Sequence, residues 1–191
     1  MNEKLEPTLW RSCRALANRK RLLLLRAMID EPPLCVQTLS ERCKLKKSVC
    51  SQYLRMLNAR GFTQVSRSGR WVDYALGANP GVKHASTILQ ALIQAVKGFT
   101  SLKQYDPVLK DLTLFTCPRR IRIVRVLRLN PHITPSALAR LCRMPRRSLL
   151  RQLKKLERRD VISREESFVT LHPPTRPLAK TLLMIALEKS E

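Results

Sequence analysis

Apolar residues return every three or four positions in three consecutive segments of the N-terminal part of the chain. This spacing predicts amphipathic helices, at about 16–29, 36–43 and 47–60. Pro32-Pro33 ends the first helix, because the residue before a proline disfavours helical backbone. The third helix places on one face Cys50, Tyr53, Leu54 and Leu57. Two helices joined by a short turn, with a polar face on the second, form a helix-turn-helix.

After the third helix the pattern changes to alternation. Residues 62–67 and 70–76 alternate apolar and polar side chains, which predicts two β-strands. The Ser-Gly pair at 68–69 predicts a two-residue hairpin turn between them. Arg67 and Arg70 flank the tip of this hairpin. We therefore expect a basic wing that contacts phosphates or enters the minor groove.

The same pattern recurs later in the chain. A gap-free offset of 99 residues aligns residues 16–60 with 115–159 and pairs, among other identities, Arg21 with Arg120 and Cys43 with Cys142. Self-similarity at a fixed period indicates a structural repeat. The second copy has predicted helices at 115–129, 135–142 and 146–159. Its hairpin is shorter, lacks glycine and carries Glu165 and Glu166, so we expect a stunted wing.

These elements predict a mainly helical fold with small β-wings, formed by two tandem winged helix-turn-helix domains joined by a helical linker. The predicted domains are 1–77, the linker 78–111, and 112–191 with the stunted wing and a C-terminal helix. The chain has only 5 glycines, too few for the turns of a many-stranded β fold.

The linker contains its own apolar pattern. Within residues 84–103, apolar residues recur at helical spacing: Ile88, Leu89, Leu92, Ile93, Val96 and Phe99. The remaining positions are mostly uncharged, which favours a helix packed on several sides. Two alternatives stay open: this helix forms a homodimer interface with the N-terminal helix at about 9–16, or it is an intrachain spacer that joins the two domains.

Charge narrows the class of partner. The chain has 37 Lys and Arg against 14 Asp and Glu, a net charge of +23. Such an excess repels itself unless a polyanion neutralises it, and nucleic acid is favoured over an anionic membrane surface. Residues 1–77 carry 15 basic and 6 acidic side chains, and residues 112–160 carry 14 and 2. The positive charge is therefore concentrated in the two predicted domains.

Three segments resemble the ArsR-like (arsenical-repressor) group of winged helix-turn-helix transcriptional regulators: LANRKRLLLLRAM, TLSERCKLKKSVCSQYLRMLNARGF and SRSGRWVDYAL. The resemblance implies a dimeric repressor with its third helix in the DNA major groove. It assigns DNA contacts to Lys47, Ser48, Ser51, Gln52, Arg67 and Arg70. Lys44 and Arg143 replace the glycine usual at the turn, and the family's Cys-x-Cys metal pair is reduced to Cys35 followed by Gln37.

The outward positions of the third helix differ between the copies. In the first copy the expected contact residues are Lys46, Lys47, Ser48, Ser51, Gln52 and Arg55. In the second they are Arg146, Arg147, Arg151, Lys154 and Arg158. Serine and glutamine can hydrogen-bond base edges, whereas a face of like charges departs from the usual mixed solvated face. We expect the first helix to read sequence and the second mainly to hold phosphates.

Catalytic and metal-binding motifs are missing from the sequence. It has no glycine-rich phosphate loop, nucleophile elbow or HExxH, and its histidines, His84, His132 and His172, are scattered. The 6 cysteines lack the CxxC spacing of zinc sites, so we expect most of them to be buried and reduced. Cys13 and Cys35 remain the redox or metal candidates. We expect no enzyme activity, no cofactor and no metal.

These features predict a sequence-specific double-stranded DNA-binding transcriptional regulator, of the bacterial repressor type, in the cytoplasm at the nucleoid. No signal peptide and no apolar run of spanning length is visible in the sequence. The alternatives are an RNA- or ribosome-associated basic protein and a winged-helix scaffold of a chromosome-organising complex. RNA binding favours exposed stacking aromatics, for which Trp71 is the candidate. A scaffold requires an apolar surface on the third helix, which the pattern does not predict.

Overall fold

A computed structural model describes residues 8–69, 71–165 and 167–188 of the chain. Its helices are α1 (Leu9–Leu16), α2 (Arg19–Ala27), α3 (Val36–Arg42), α4 (Lys47–Asn58), α5 (Ala85–Val96), α6 (Tyr105–Leu114), α7 (Pro118–Leu129), α8 (Pro135–Leu141), α9 (Arg146–Glu157) and α10 (Pro177–Leu187). Its strands are β1 (Leu34–Cys35), β2 (Thr63–Ser68), β3 (Trp71–Leu76), β4 (Ile162–Glu165) and β5 (Phe168–Leu171). A short 3-10 turn, Leu102–Gln104, precedes α6.

One order of elements occurs twice. The first half, residues 8–96, and the second half, residues 105–188, each contain two helices, a helix-turn-helix pair, a hairpin and a closing helix. The first half has an antiparallel sheet of order β1-β3-β2. In the second half β4 pairs with β5, and a single bridge from Ile133 to Val169 takes the place of β1. The bounds of α4 and α9 differ by the same 99 residues as the sequence repeat.

The two hairpins differ in length. β2 and β3 pair over six residues each, whereas β4 and β5 pair over four. The turn predicted at 68–69 begins one residue too early, because Ser68 still belongs to β2 and pairs with Trp71. Gly69 has φ +58°, a left-handed backbone that a tight hairpin turn requires and glycine adopts most easily. Arg70 lies outside the described residues.

Each predicted first helix is preceded by a separate one. The helix is interrupted between α1 and α2 at Asn18. The side chain of Asn18 accepts a hydrogen bond from the Arg21 amide at 3.1 Å and so caps α2. In the second half the break is at Cys117, and Pro118 takes the first position of α7. The predicted boundary between linker and second domain, residue 112, falls inside α6.

A single hydrophobic core runs through both halves. The helix-turn-helix pairs and hairpins contact mainly elements of their own half, while α1, α5, α6 and α10 pack together across the two halves. The apolar face of α5, which predicted either a dimer interface or an intrachain spacer, packs mainly on α10 and also on α6 of the same chain. This face is therefore covered within one molecule.

Candidate nucleic-acid interface

The apolar face of α4 fixes which of its side chains meet solvent. Cys50, Leu54 and Leu57 are completely buried, so the opposite face points outward. The predicted contact residues on this face that are exposed are Lys46, Lys47, Ser48, Gln52 and Arg55, and Ser51 is half-buried. No side chain caps the first turn of α4 within the described residues, so its amide groups can bind a phosphate.

Helix α9 presents a continuous basic stripe. Leu149, Leu153 and Leu156 are fully buried, and the predicted contact residues Arg146, Arg147, Arg151, Lys154 and Arg158 are all exposed. Arg158 lies one residue beyond the end of the helix, as its C-cap. Glu157, the nearest acid, lies off the stripe and pairs with Arg164, so its charge does not neutralise the stripe.

Two isolated apolar side chains are exposed on the third helices, contrary to the sequence pattern. Met56 on α4 is 42% exposed and Leu150 on α9 is 37% exposed. Single exposed apolar residues are normal on protein surfaces and do not form a docking patch. On a major-groove helix such a side chain suits the thymine methyl group.

The turn between the two helices of each pair has the same backbone in both halves. Lys44 has φ +51° and Arg143 has φ +48°, the left-handed conformation for which glycine is usual. The amide of Lys44 donates to the Glu41 carbonyl and that of Arg143 to the Arg140 carbonyl. A basic residue thus occupies this turn in each half without changing its geometry.

The first hairpin projects beyond α4 as a long wing. Arg67 is exposed opposite Val72 on the partner strand. Tyr74, 6% exposed, anchors the base of the wing in the core. Asn58 at the end of α4 donates to the Thr63 carbonyl at 2.8 Å, which joins the wing to α4.

The second hairpin is shorter and less basic. Its exposed strand end carries Glu165, which pairs with Phe168. Arg164 donates through Nε to Glu157 Oε1 at 2.9 Å. This ion pair joins the wing to α9, and the Glu157 carboxylate offsets the positive charge of Arg164. The hydrogen bond from Arg164 lowers the pKa of the Glu157 carboxyl and keeps this pair ionised. Glu166 lies outside the described residues.

A comparison with known protein families finds a match in the second half of the chain. A family model described as winged helix-turn-helix DNA-binding matches residues 118–163, from the start of α7 to the first strand of the hairpin. Residues 118–163 form a winged helix-turn-helix DNA-binding domain. No curated protein matches the chain.

In this winged domain and in the first half, an arginine that the charge count assigns to the basic surface has another role. Arg120 is 8% exposed and donates to the carbonyls of Thr113 and Leu114 at 2.6 Å, and to Gln152 of α9 at 3.1 Å. It therefore fixes the end of α6 against α9. Burial lowers the pKa of its guanidinium from the normal value.

Arg21 repeats this contact in the first half. Its guanidinium donates to the carbonyls of Arg14 and Ala15 at the end of α1 and lies over the ring of Tyr53 on α4. These three partners are the 99-residue equivalents of Leu114, Thr113 and Gln152, which Arg120 contacts. Sequence reasoning missed both roles, although the identity of Arg21 and Arg120 across the repeat was a signal for them.

In the described part of the chain, no group of three or more His, Cys, Asp or Glu side chains could hold a metal ion, and the cysteines therefore belong to no such cluster there. Burial raises the pKa of the Cys13 thiol, which is fully buried. Cys35 is half-buried, and a hydrogen bond with Thr38 at 3.3 Å lowers the pKa of its thiol.

None of the described helices is both long enough and apolar enough to cross a membrane.

Proposed function

We propose that this chain is a sequence-specific double-stranded DNA-binding transcriptional repressor of the ArsR-like type, arisen by tandem duplication of one winged helix-turn-helix domain. The observation that carries the proposal is the winged helix-turn-helix DNA-binding domain at residues 118–163. The same order of elements, with the same left-handed turn, recurs in the first half, where a half-buried Arg21 makes the contacts that correspond to those of Arg120. It acts in the cytoplasm at the nucleoid, without enzymatic activity, cofactor or metal.

In this proposal two recognition helices enter the major groove, which admits an α-helix. Ser48, Ser51 and Gln52 on α4 donate to and accept from base edges, while Arg67 on the long wing contacts phosphate. On α9 the arginines 147 and 151 hold the DNA backbone. A promoter occupied in this way excludes the transcription machinery, which is how binding becomes repression.

The test is a binding titration of the full chain with a labelled duplex pool, with single-stranded RNA and duplex RNA as competitors. We expect binding to duplex DNA that neither RNA displaces at equal nucleotide concentration. The variant Arg147→Ala/Arg151→Ala should bind the pool much more weakly. The matched control, Lys83→Ala/Lys180→Ala, also removes two exposed cations but outside both recognition helices, and should bind as the parent does.

Stronger binding to RNA than to duplex DNA would contradict the proposal. So would an equal loss in the two double variants, because binding would then depend on total charge rather than on the recognition helices.

A further inference from the structure

The first and last helices of the two halves are arranged reciprocally. α1 and α6 begin the two halves, and α5 and α10 end them. α1 packs on α6, α5 packs on α10, and the cross pairs α1 with α10 and α5 with α6 are also in contact. Each helix thus meets its counterpart in the other half. This is the pattern of an isologous two-fold interface between identical subunits, formed here within one chain.

One chain already buries the faces that such an interface uses. Completely or almost completely buried on these helices are Cys13, Leu16, Ile88, Leu92, Val96, Leu112, Leu182 and Ala186. Among their described residues, Met184 is the large apolar side chain that is exposed. Stable dimers bury about 1,200–2,000 Å², and the reciprocal faces of these helices are not free to supply that area to a second copy.

The two DNA-binding ends that this bundle joins are chemically different. At equivalent positions α4 carries Ser48, Gln52, Arg55 and Ala59, whereas α9 carries Arg147, Arg151, Lys154 and Arg158. The first wing has six-residue strands and an exposed arginine, and the second has four-residue strands and an exposed glutamate. Identical half-sites would therefore suit at most one end of the molecule.

We infer that a single chain is the complete DNA-binding unit, and that it occupies, in one fixed orientation, an operator in which one half-site is specified in sequence, by α4, and the other is held by α9 through its phosphates. The inference rests on the proposed function. A homodimer reads an inverted repeat because its own two-fold symmetry is imposed on the site. In this chain the two-fold relation holds for the helices of the bundle but not for the side chains that face DNA.

The difference between the two wings gives the bound chain a defined orientation on the operator. The longer, basic wing lies beside α4, so protection of the DNA backbone extends further past the half-site read by α4 than past the one held by α9. A palindromic site has no such polarity.

The experiment begins with selection of duplexes from a random library by the full chain. It continues with native mass spectrometry of the chain alone and on the selected duplex. We expect one chain in both cases, and a selected motif without inverted symmetry. Gln52→Ala defines half-site A, the half whose selection it abolishes. The selected duplex should bind at least roughly tenfold more tightly than a duplex in which half-site A is scrambled, as expected from several mismatched base pairs. A second copy of A in place of the other half-site should add no affinity.

A dimer of free chains, two chains per duplex, or a preferred inverted repeat would overturn the inference while leaving DNA binding intact. A chain that selects no duplex would instead refute the proposed function. Its mass would then still decide whether the bundle is complete in one chain.

Discussion

Individual basic residues of this protein divide into those that hold the fold and those that face outward. Arg21 and Arg120 cap the ends of α1 and α6 and contact α4 and α9 beside them. Gln52 and Arg151 occupy equivalent outward positions and differ in chemistry. The roles in DNA binding that we assign to the outward residues lead to different expected effects of substitution.

At the outward positions we expect Gln52→Ala to cost roughly 1–3 kcal/mol of binding free energy on the preferred duplex and little on random DNA. A base contact is lost in the first case, but no specific contact exists to lose in the second. Arg147→Ala/Arg151→Ala should weaken both equally, since phosphate contacts carry no sequence information. Competition titrations on the two duplexes measure both effects. If the arginine variant loses only the sequence preference, then α9 is the reading helix.

At the buried positions we expect Arg120→Met to lower the free energy of unfolding by roughly 2–3 kcal/mol, the worth of hydrogen bonds from a charged group. Arg120→Lys should recover only part of this loss, because an ammonium cannot replace the planar guanidinium fork. Urea denaturation measures the change. Arg122→Met, at an exposed position on the same helix, is the control. Equal stability of the Met variants at 120 and 122 would show that the buried contacts carry little energy.

At the scale of elements, the periodic segments were predictable and their junctions were not. α3, α4, α8 and α9 begin at the predicted residues, because an apolar stripe at helical spacing must face a core. The turn at Ser68 was misplaced by one residue, since several polar residues there suit a hairpin equally. The separate α6 was missed, because sequence gives no account of what a short helix packs on. The packing of α5 on α10 depends on tertiary contacts that no local pattern contains.

At the junction of α6 with α10, the buried carboxylate of Asp111 pairs with the exposed Arg176. Asp111 is 3% exposed and accepts from Arg176 Nε at 2.8 Å. Arg176→Ala leaves this carboxylate buried without its partner, which should lower the free energy of unfolding by roughly 1–3 kcal/mol. The double variant Asp111→Ala/Arg176→Ala should lose less free energy of unfolding than the sum of the two single variants. Thermal denaturation of the four proteins gives the coupling energy. Arg164→Ala, which breaks a more exposed pair, should change stability by less than about 1 kcal/mol. Additive effects at 111 and 176 would mean that the pair does not couple the two helices.

At the scale of the whole molecule, one continuous core joins two basic ends. The bundle of α1, α5, α6 and α10 consists mainly of leucine, isoleucine, valine and alanine side chains, so its stability does not call for an ion. The sequence predicted the two basic blocks correctly, because net charge is a property of composition. It left open whether the central helices join two chains or two halves of one.

From this architecture we expect metal removal to change neither folding nor DNA binding. The buried thiols of Cys13 and Cys50 lie among apolar side chains, where cysteine acts as a small hydrophobic residue. Melting curves and duplex titrations before and after dialysis against a strong chelator test this. A loss of melting temperature or affinity that zinc restores would show that cysteines hold a metal.

The last prediction concerns the salt dependence of binding, which reports how many phosphates the whole molecule neutralises. Releasing counterions from Z phosphates gives a log–log slope of about −0.9Z. With the exposed cations on α4, α9 and the first wing, we expect Z of roughly 6–8 and hence a loss of about 10³–10⁴ in affinity between 50 and 200 mM salt. Arg147→Ala/Arg151→Ala should reduce Z by about 2, because each arginine neutralises one phosphate. Lys83→Ala/Lys180→Ala should leave the slope unchanged. A parental slope near zero would exclude phosphate contacts by either recognition helix, and a slope halved by removing α9 charges alone would place half of the phosphate contacts at that helix.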